Sequence, residues 1–234
     1  MRFYLGILIP SSASVFIAHG GAWRYEINGV IYEGYHWWEN TTDQTTIQRR
    51  WPGYDPVVDP YSTSMACNND ATATPSSFHA PIAAGSTITA HYSKNFTVPY
   101  GLDPASNWNL WPHDAGPALV YMAACNGPCD TFNPSGAVWF KIFEAGLLSP
   151  PVCPFLRGVW ITTGISKGEP LSVHILESLR PGQYLIRHEL IALHVQDEKQ
   201  FYPECAQLNV TGSGKDFPGD EYLVAFPGAY NTST

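Results

Sequence analysis

Apolar residues in this chain come in strand-length runs, closed by Gly, Pro, Asn or Asp, and almost never at helical spacing. Trp23-Arg24-Tyr25-Glu26-Ile27 and Val30-Ile31-Tyr32 flank Asn28-Gly29. That dipeptide accepts the positive φ of a tight hairpin turn. Further strand signals fall at 86–92, 118–123, 138–146, 170–175, 182–194 and 206–211. The 182–194 run shows no clean alternation. Residues 36–78 and 93–110 have no period and read as long ordered loops. Such runs can bury their apolar side chains only by stacking sheets. The expected fold class is all-β: a single antiparallel β-sandwich (immunoglobulin/fibronectin-like) with long ordered loops and disulfides.

Composition narrows the function. Asp+Glu number 20 against 12 Lys+Arg, a net charge of −8. No basic stripe is present to neutralise phosphates, so nucleic acid is excluded as a partner. After the first residues, no run of about twenty apolar residues remains to span a membrane. Charged residues are only 14% of the chain and aromatics also 14%, which leaves rings available for a sugar surface.

The start of the chain reads Arg2, then the apolar 3–9 and 15–18 separated by small residues. That is the layout of a secretory signal. We expect residues 1–18 to be removed and 19–234 to form one secreted domain. A cut after Ala13 is the alternative and would leave residues 14–18 in front of His19. Cleavage after Ala18 would place a free amine and an imidazole on the same residue, His19, and two such nitrogens can grip one metal ion.

Five cysteines in a secreted chain imply disulfides. A Cys125–Cys129 bridge would close a tight turn. Cys67 and Cys205 would close a long loop, and Cys153 is left over. Sequons at Asn40, Asn95, Asn209 and Asn231 fit a secreted glycoprotein.

A copper site needs nitrogen donors in a nearly planar arrangement. His19 offers two, and eight histidines are present to supply a third. His113, in Trp111-Pro112-His113-Asp114-Ala115-Gly116-Pro117, sits on a turn before a buried strand.

Here the chain resembles fungal lytic polysaccharide monooxygenases of auxiliary activity family nine. The resemblance rests on His19-Gly20 at the signal junction, 111–123, Phe140-Lys141-Ile142-Phe143-Glu144-Ala145-Gly146-Leu147, 181–194, and 200–212 with its Gln200-Phe201-Tyr202-Pro203-Glu204-Cys205 block. These blocks run in family order over nearly the whole mature chain. The resemblance implies one copper ion per chain. His19 would bind it through amine and ring, His113 through its ring, and Tyr202 would stand axially. His194 and Gln200 would be the hydrogen-bonding pair beside the metal. It further implies oxidative cleavage of cellulose or a related β-1,4-glucan at C1 and/or C4, by a monomer. A small-molecule or protein electron donor and O2 or H2O2 would be consumed. Both disulfide pairings fit the family's pattern. One departure is visible: Asp114 and Ala115 both stand between His113 and Gly116-Pro117, where the family usually has one residue. Trp23, Tyr25, Tyr35, Trp37, Trp38 and Tyr230 are the candidates for a sugar-facing plane, Tyr230 foremost.

Two rival functions carry different requirements. A hydrolytic glycosidase needs two carboxylates facing one another across a cleft, drawn from Asp114, Glu144, Glu189 and Glu204. Glu189 in Arg187-His188-Glu189 reads more simply as a strand residue with an ionic partner. A non-catalytic carbohydrate-binding sandwich needs exposed aromatics and no functioning metal site.

Overall fold

A computed structural model describes residues 19–53, 55–68, 78–94, 110–151, 158–195 and 198–232. The leader, the Asn95 sequon and Cys153 lie outside the described residues. The elements are β1 (Gly21–Ile27), β2 (Val30–Glu33), β3 (Ala80–Ala83), β4 (Thr87–Ser93), β5 (Ala118–Ala124), β6 (Ala137–Ala145), β7 (Leu147–Ser149), β8 (Val159–Trp160), α1 (Ile161–Ile165), β9 (Leu171–His174), β10 (Gly182–Ala192), β11 (Gln200–Thr211) and β12 (Val224–Ala225). Four strands pair in the order β2-β1-β4-β9 and six in the order β12-β6-β5-β10-β11-β3; β7 and β8 form a separate ribbon. Asn28 and Gly29 make the expected hairpin turn, with φ of 52° and 78°.

The two sheets face each other across one core. Tyr25, Ile27, Ile88, Ala90 and Val173 of the smaller sheet meet Val120, Met122, Phe140, Ile186 and Leu208 of the larger. A second core lies on the opposite face of the six-stranded sheet. There Tyr121, Ala123, Trp139, Leu185 and Phe201 are covered by Val57, Met65, Ala66 and Phe226. β10 is therefore enclosed on both faces, with every residue from Tyr184 to Ala192 buried. Double burial removes any pressure for polar residues at alternate positions, which is why its sequence lacks a period.

The loop after β2 is fastened over this second core. Cys67 is bridged to Cys205, 138 residues apart. Bridges pair Gln48 with Ala206 and Val57 with Phe201, and the Arg49 N–H donates to the Cys205 carbonyl at 2.8 Å. A loop of that length gives the crosslink about 5 kcal/mol of unfolded-state entropy, against about 2 kcal/mol for the tight loop closed by Cys125–Cys129.

The strands of the sandwich pair antiparallel as expected, with β3 added in parallel to β11 at one edge. One expectation needs correcting. The last long strand begins at Gln200 rather than at 206. The strand runs straight through Pro203. Phe201 and Gln207 send their N–H groups outward to Val57 and Ile47. Pro203 shares their direction, so its missing N–H falls on the side away from β10.

Candidate metal centre

His19, Gly20 and Gly21 lead into β1 along a channel with no room for side chains. A Cβ on Gly20 would overlap the Ser93 carbonyl, and one on Gly21 would overlap the Glu204 carboxylate. The β1–β4 register slips between Ala22 and Arg24. Such a bulge commonly re-aims a chain beside a site. The N–H and carbonyl of Ala22, the last residue before the slip, are each taken by a buried side chain. Its N–H donates to Glu204 Oε2 at 2.6 Å, and its carbonyl accepts from Gln48 Nε2 at 2.9 Å. Gln48 Nε2 also lies 3.1 Å from Glu204 Oε2. Burial holds the Glu204 carboxyl well above its ordinary range, opposed by the hydrogen bonds from Ala22 and Gln48.

The second histidine is fixed by its turn. The Thr163 hydroxyl donates to the Asp114 carbonyl at 2.8 Å, the Thr162 hydroxyl to the Gly116 carbonyl at 2.9 Å, and the Leu193 N–H to the Ala115 carbonyl at 2.9 Å. Gly116 sits at φ 153°, against the Ile191 carbonyl where a Cβ would overlap. α1 and the end of β10 thus absorb the additional residue after His113. Trp111, 1% exposed, braces the site edge-on to both His113 and Tyr202, at 5.2 and 4.8 Å between ring centroids.

These supports bring three rings together. The centroids of His19 and His113 are 6.2 Å apart, those of His19 and Tyr202 6.3 Å, and those of His113 and Tyr202 5.7 Å. His113 Nε2 and the Tyr202 hydroxyl are 3.0 Å apart, and that hydroxyl donates to Gln200 Oε1 at 3.0 Å. Imidazole nitrogens ~2 Å from a shared ion place two opposed ligand rings roughly 6 Å apart between centroids, so the two histidines fit one ion. Among the described residues no group of three or more His, Cys, Asp and Glu converges as a cage. The donor set here is two imidazoles and a phenol, with a backbone nitrogen at His19 that processing would make an amine. Nitrogen-rich donors of that kind suit copper.

The electrostatics agree. Burial first, then the neighbouring charges of His194 and His19, push the His113 pKa down to about 3. A neutral imidazole is the form that binds a metal. Burial also raises the Tyr202 phenol, helped by negative Asp55 and Glu198, so it stays protonated. Asp55 reaches His19 Nδ1 at 3.3 Å.

Other candidates are placed as follows. The His194 ring stacks on His113 at 4.2 Å between centroids. Gln200 engages Tyr202 and, through Nε2, Glu198 at 3.3 Å. Tyr230 is turned inward: its ring stacks on Phe201 at 5.2 Å and its hydroxyl donates to Glu189 Oε2 at 2.7 Å. Tyr25 and Tyr35 are core, at 0% and 6% exposure, and so cannot face a sugar. Trp37 is exposed, and Trp38 stacks on His36. Asn40, Asn209 and Asn231 are exposed.

The glycosidase reading loses two of its four carboxylates to burial. Glu189 is fully buried in a two-pronged pair with Arg187, at 2.7 and 2.9 Å. Glu204 is enclosed with Ala22 and Gln48, and Glu144 pairs with Lys141. Two of the four candidate carboxylates therefore have no access to a sugar. Sequence reasoning passed over Gln48, and took up Glu204 only as a carboxylate for the hydrolytic reading. Only the two consecutive glycines hinted that something large lies against the N-terminal segment.

The model of Auxiliary Activity family 9 (formerly GH61) matches residues 19–234. The chain belongs to this family. Auxiliary Activity family 9 enzymes are lytic polysaccharide monooxygenases that use copper. Lytic polysaccharide monooxygenase B of the family from Heterobasidion irregulare is 40% identical over 224 residues, spanning 95% of this chain and 84% of that protein. Monooxygenase D from Thermothelomyces thermophilus is 39% identical over 216 residues, spanning 90% and 77%. Among solved structures, a cellulose-active polysaccharide monooxygenase from M. thermophila superposes with a TM-score of 0.78 at 38% identity, covering 92% of this chain and 88% of that one. In this family member the family match begins at His19, the residue whose ring faces His113.

Proposed function

We propose that this Auxiliary Activity family 9 enzyme is secreted, is cut after Ala18, and cleaves cellulose or a related β-1,4-glucan with one copper ion per chain. The amine and ring of His19 and the ring of His113 would hold the ion, with the Tyr202 hydroxyl beside them. The convergence of those three rings within 5.7–6.3 Å carries the reading. With an electron donor and O2 or H2O2, a bound copper ion would supply the redox chemistry that oxidative cleavage of the glucan at C1 or C4 requires.

The protein's own part is positioning and proton control. With His113 Nε2 committed to the ion, Gln200 Oε1 is the acceptor left for the Tyr202 hydroxyl proton. The phenol is then held in one orientation with its oxygen toward the site. Trp111 and the His194 stack restrict the His113 ring. His194 and Gln200 present hydrogen-bonding groups beside the metal, where such neighbours steer the reactive ligand.

The test compares protein beginning at His19 with protein retaining one residue before it. The reading expects tight 1:1 copper binding and oxidised oligosaccharides from the first only. Equal copper affinity in both would remove the amine from the ligand set. Absence of copper binding in both would leave a carbohydrate-binding sandwich.

A further inference from the structure

We infer that Gln48 and Glu204 form a two-sided clamp on the Ala22 peptide groups that positions His19 for the metal. Both are positioning residues, acting through backbone three residues beyond the ligand. The inference rests on the reading above that His19 binds copper.

Four observations converge on it. The register slips immediately after Ala22, which still pairs with Tyr92, and leaves Trp23 without a partner on β4. Glu204 and Gln48 each take one of its backbone groups, at 2.6 and 2.9 Å, and contact each other at 3.1 Å. Both clamp residues are buried, Gln48 fully and Glu204 at 3% exposure, so water does not compete for these bonds. Gln48 is itself held: its Oε1 accepts from the Tyr35 N–H at 2.6 Å, and its own N–H donates to the Thr46 hydroxyl. The clamp joins three segments that are remote in sequence: the N-terminal strand, the loop after β2, and β11.

Its placement explains why it belongs to this site. Gln200, Tyr202 and Glu204 alternate along β11 and therefore share one face. One strand thus carries Gln200, the Tyr202 phenol that it accepts from, and the anchor of the N-terminal segment. His19 and Tyr202 are fixed to a common rigid element, although 183 residues separate them (202 minus 19). A chain terminus is the part of a fold that frays most readily, and without this anchor a ligand on the first residue would be held by a fraying end. The bare Gly21 is the complement: only hydrogen there lets the carboxylate approach.

The experiment uses secreted, processed protein with copper removed. In wild type the Ala22 amide is protected from hydrogen exchange, and an aminopeptidase releases His19 slowly. Glu204→Ala is expected to speed Ala22 exchange by about tenfold, the loss of one buried hydrogen bond, and to speed His19 release. Exchange at Ile186 in β10 stays unchanged. Glu204→Gln keeps a carbonyl acceptor and restores both readouts. Gly21→Ala reaches the same end by expelling the carboxylate while leaving Glu204 in the sequence, so it covers a Glu204→Ala protein that fails to fold. Titration with cupric ion then shows weaker binding in Glu204→Ala and Gly21→Ala than in Glu204→Gln. Wild-type exchange, His19 release and copper affinity in the first two variants would overturn the clamp. The exchange measurement uses no copper, so the clamp and the copper reading can fail separately.

Discussion

The Tyr202 hydroxyl lies 3.0 Å from His113 Nε2 and 3.0 Å from Gln200 Oε1, joining a loop histidine to a strand glutamine through one phenol. Burial keeps that phenol protonated. Under the proposed function it would set the surroundings of the ion rather than carry a charge to it. Tyr202→Phe is expected to retain copper, alter its electron paramagnetic resonance spectrum, and lower glucan oxidation by about 10–100-fold. A variant that binds no copper at all would make Tyr202 a structural residue.

His194 lies flat on His113, and the proposed function makes it a neighbour of a ligand rather than a ligand. His194→Ala should cut turnover by about 10–100-fold while changing copper affinity by a smaller factor. Calorimetric copper titration alongside product analysis separates the two effects. Lost affinity with unchanged turnover per bound ion would move His194 into the ligand set.

Arg187 and Glu189 form a wholly buried ion pair in the second core. The guanidinium also donates to the Met65 and Ala66 carbonyls and lies over the Phe226 ring. Removing one partner strands a buried charge, at a cost of about 3–5 kcal/mol. Glu189→Ala should therefore lower the melting temperature by about 10 °C. Tyr230→Phe, which removes one of the hydrogen bonds to Glu189, should cost less. Equal melting temperatures for wild type and Glu189→Ala would show that the pair contributes nothing net.

His188 is buried between the sheets, its ring 5.5 Å from Tyr25, and burial pushes its pKa down to about 3. Unfolded, an imidazole takes up a proton near its usual 6.5. Between those values the unfolded chain holds more protons than the folded one. Stability is complete above 6.5 and falls as pH drops toward 3, by up to about 1.4 kcal/mol per pH unit. His188→Leu should flatten this acid limb in urea titrations run at pH 4 and pH 7. An unchanged pH slope would mean the imidazole does not titrate with unfolding.

How far the sequence could be read differs from element to element. The Asn28-Gly29 hairpin and the strands near 87–93, 118–124 and 137–145 follow from local chemistry, because a positive-φ dipeptide and a run of β-branched and aromatic residues act over a few neighbours. The start of β11 did not follow. Pro203 is tolerated only because its backbone faces a loop from 46–57, a fact carried by no residue near 203. Tyr25, Tyr35 and Tyr230 read as surface rings, since an aromatic looks alike in sequence whether it meets sugar or core.

The amino-acid order alone determined an all-β chain with two closable disulfides and named His19, His113, His194, Gln200 and Tyr202, because strand length, turn chemistry and motif order are properties of neighbours along the chain. Tertiary structure alone decided that α1 and the end of β10 hold the turn after His113 with its ring near His19, that Tyr230 serves the second core, and that Gln48 and Glu204 hold the first strand. Each of those depends on what a distant segment places within hydrogen-bonding reach, about 3 Å, and such proximity is settled only when the sheets stack.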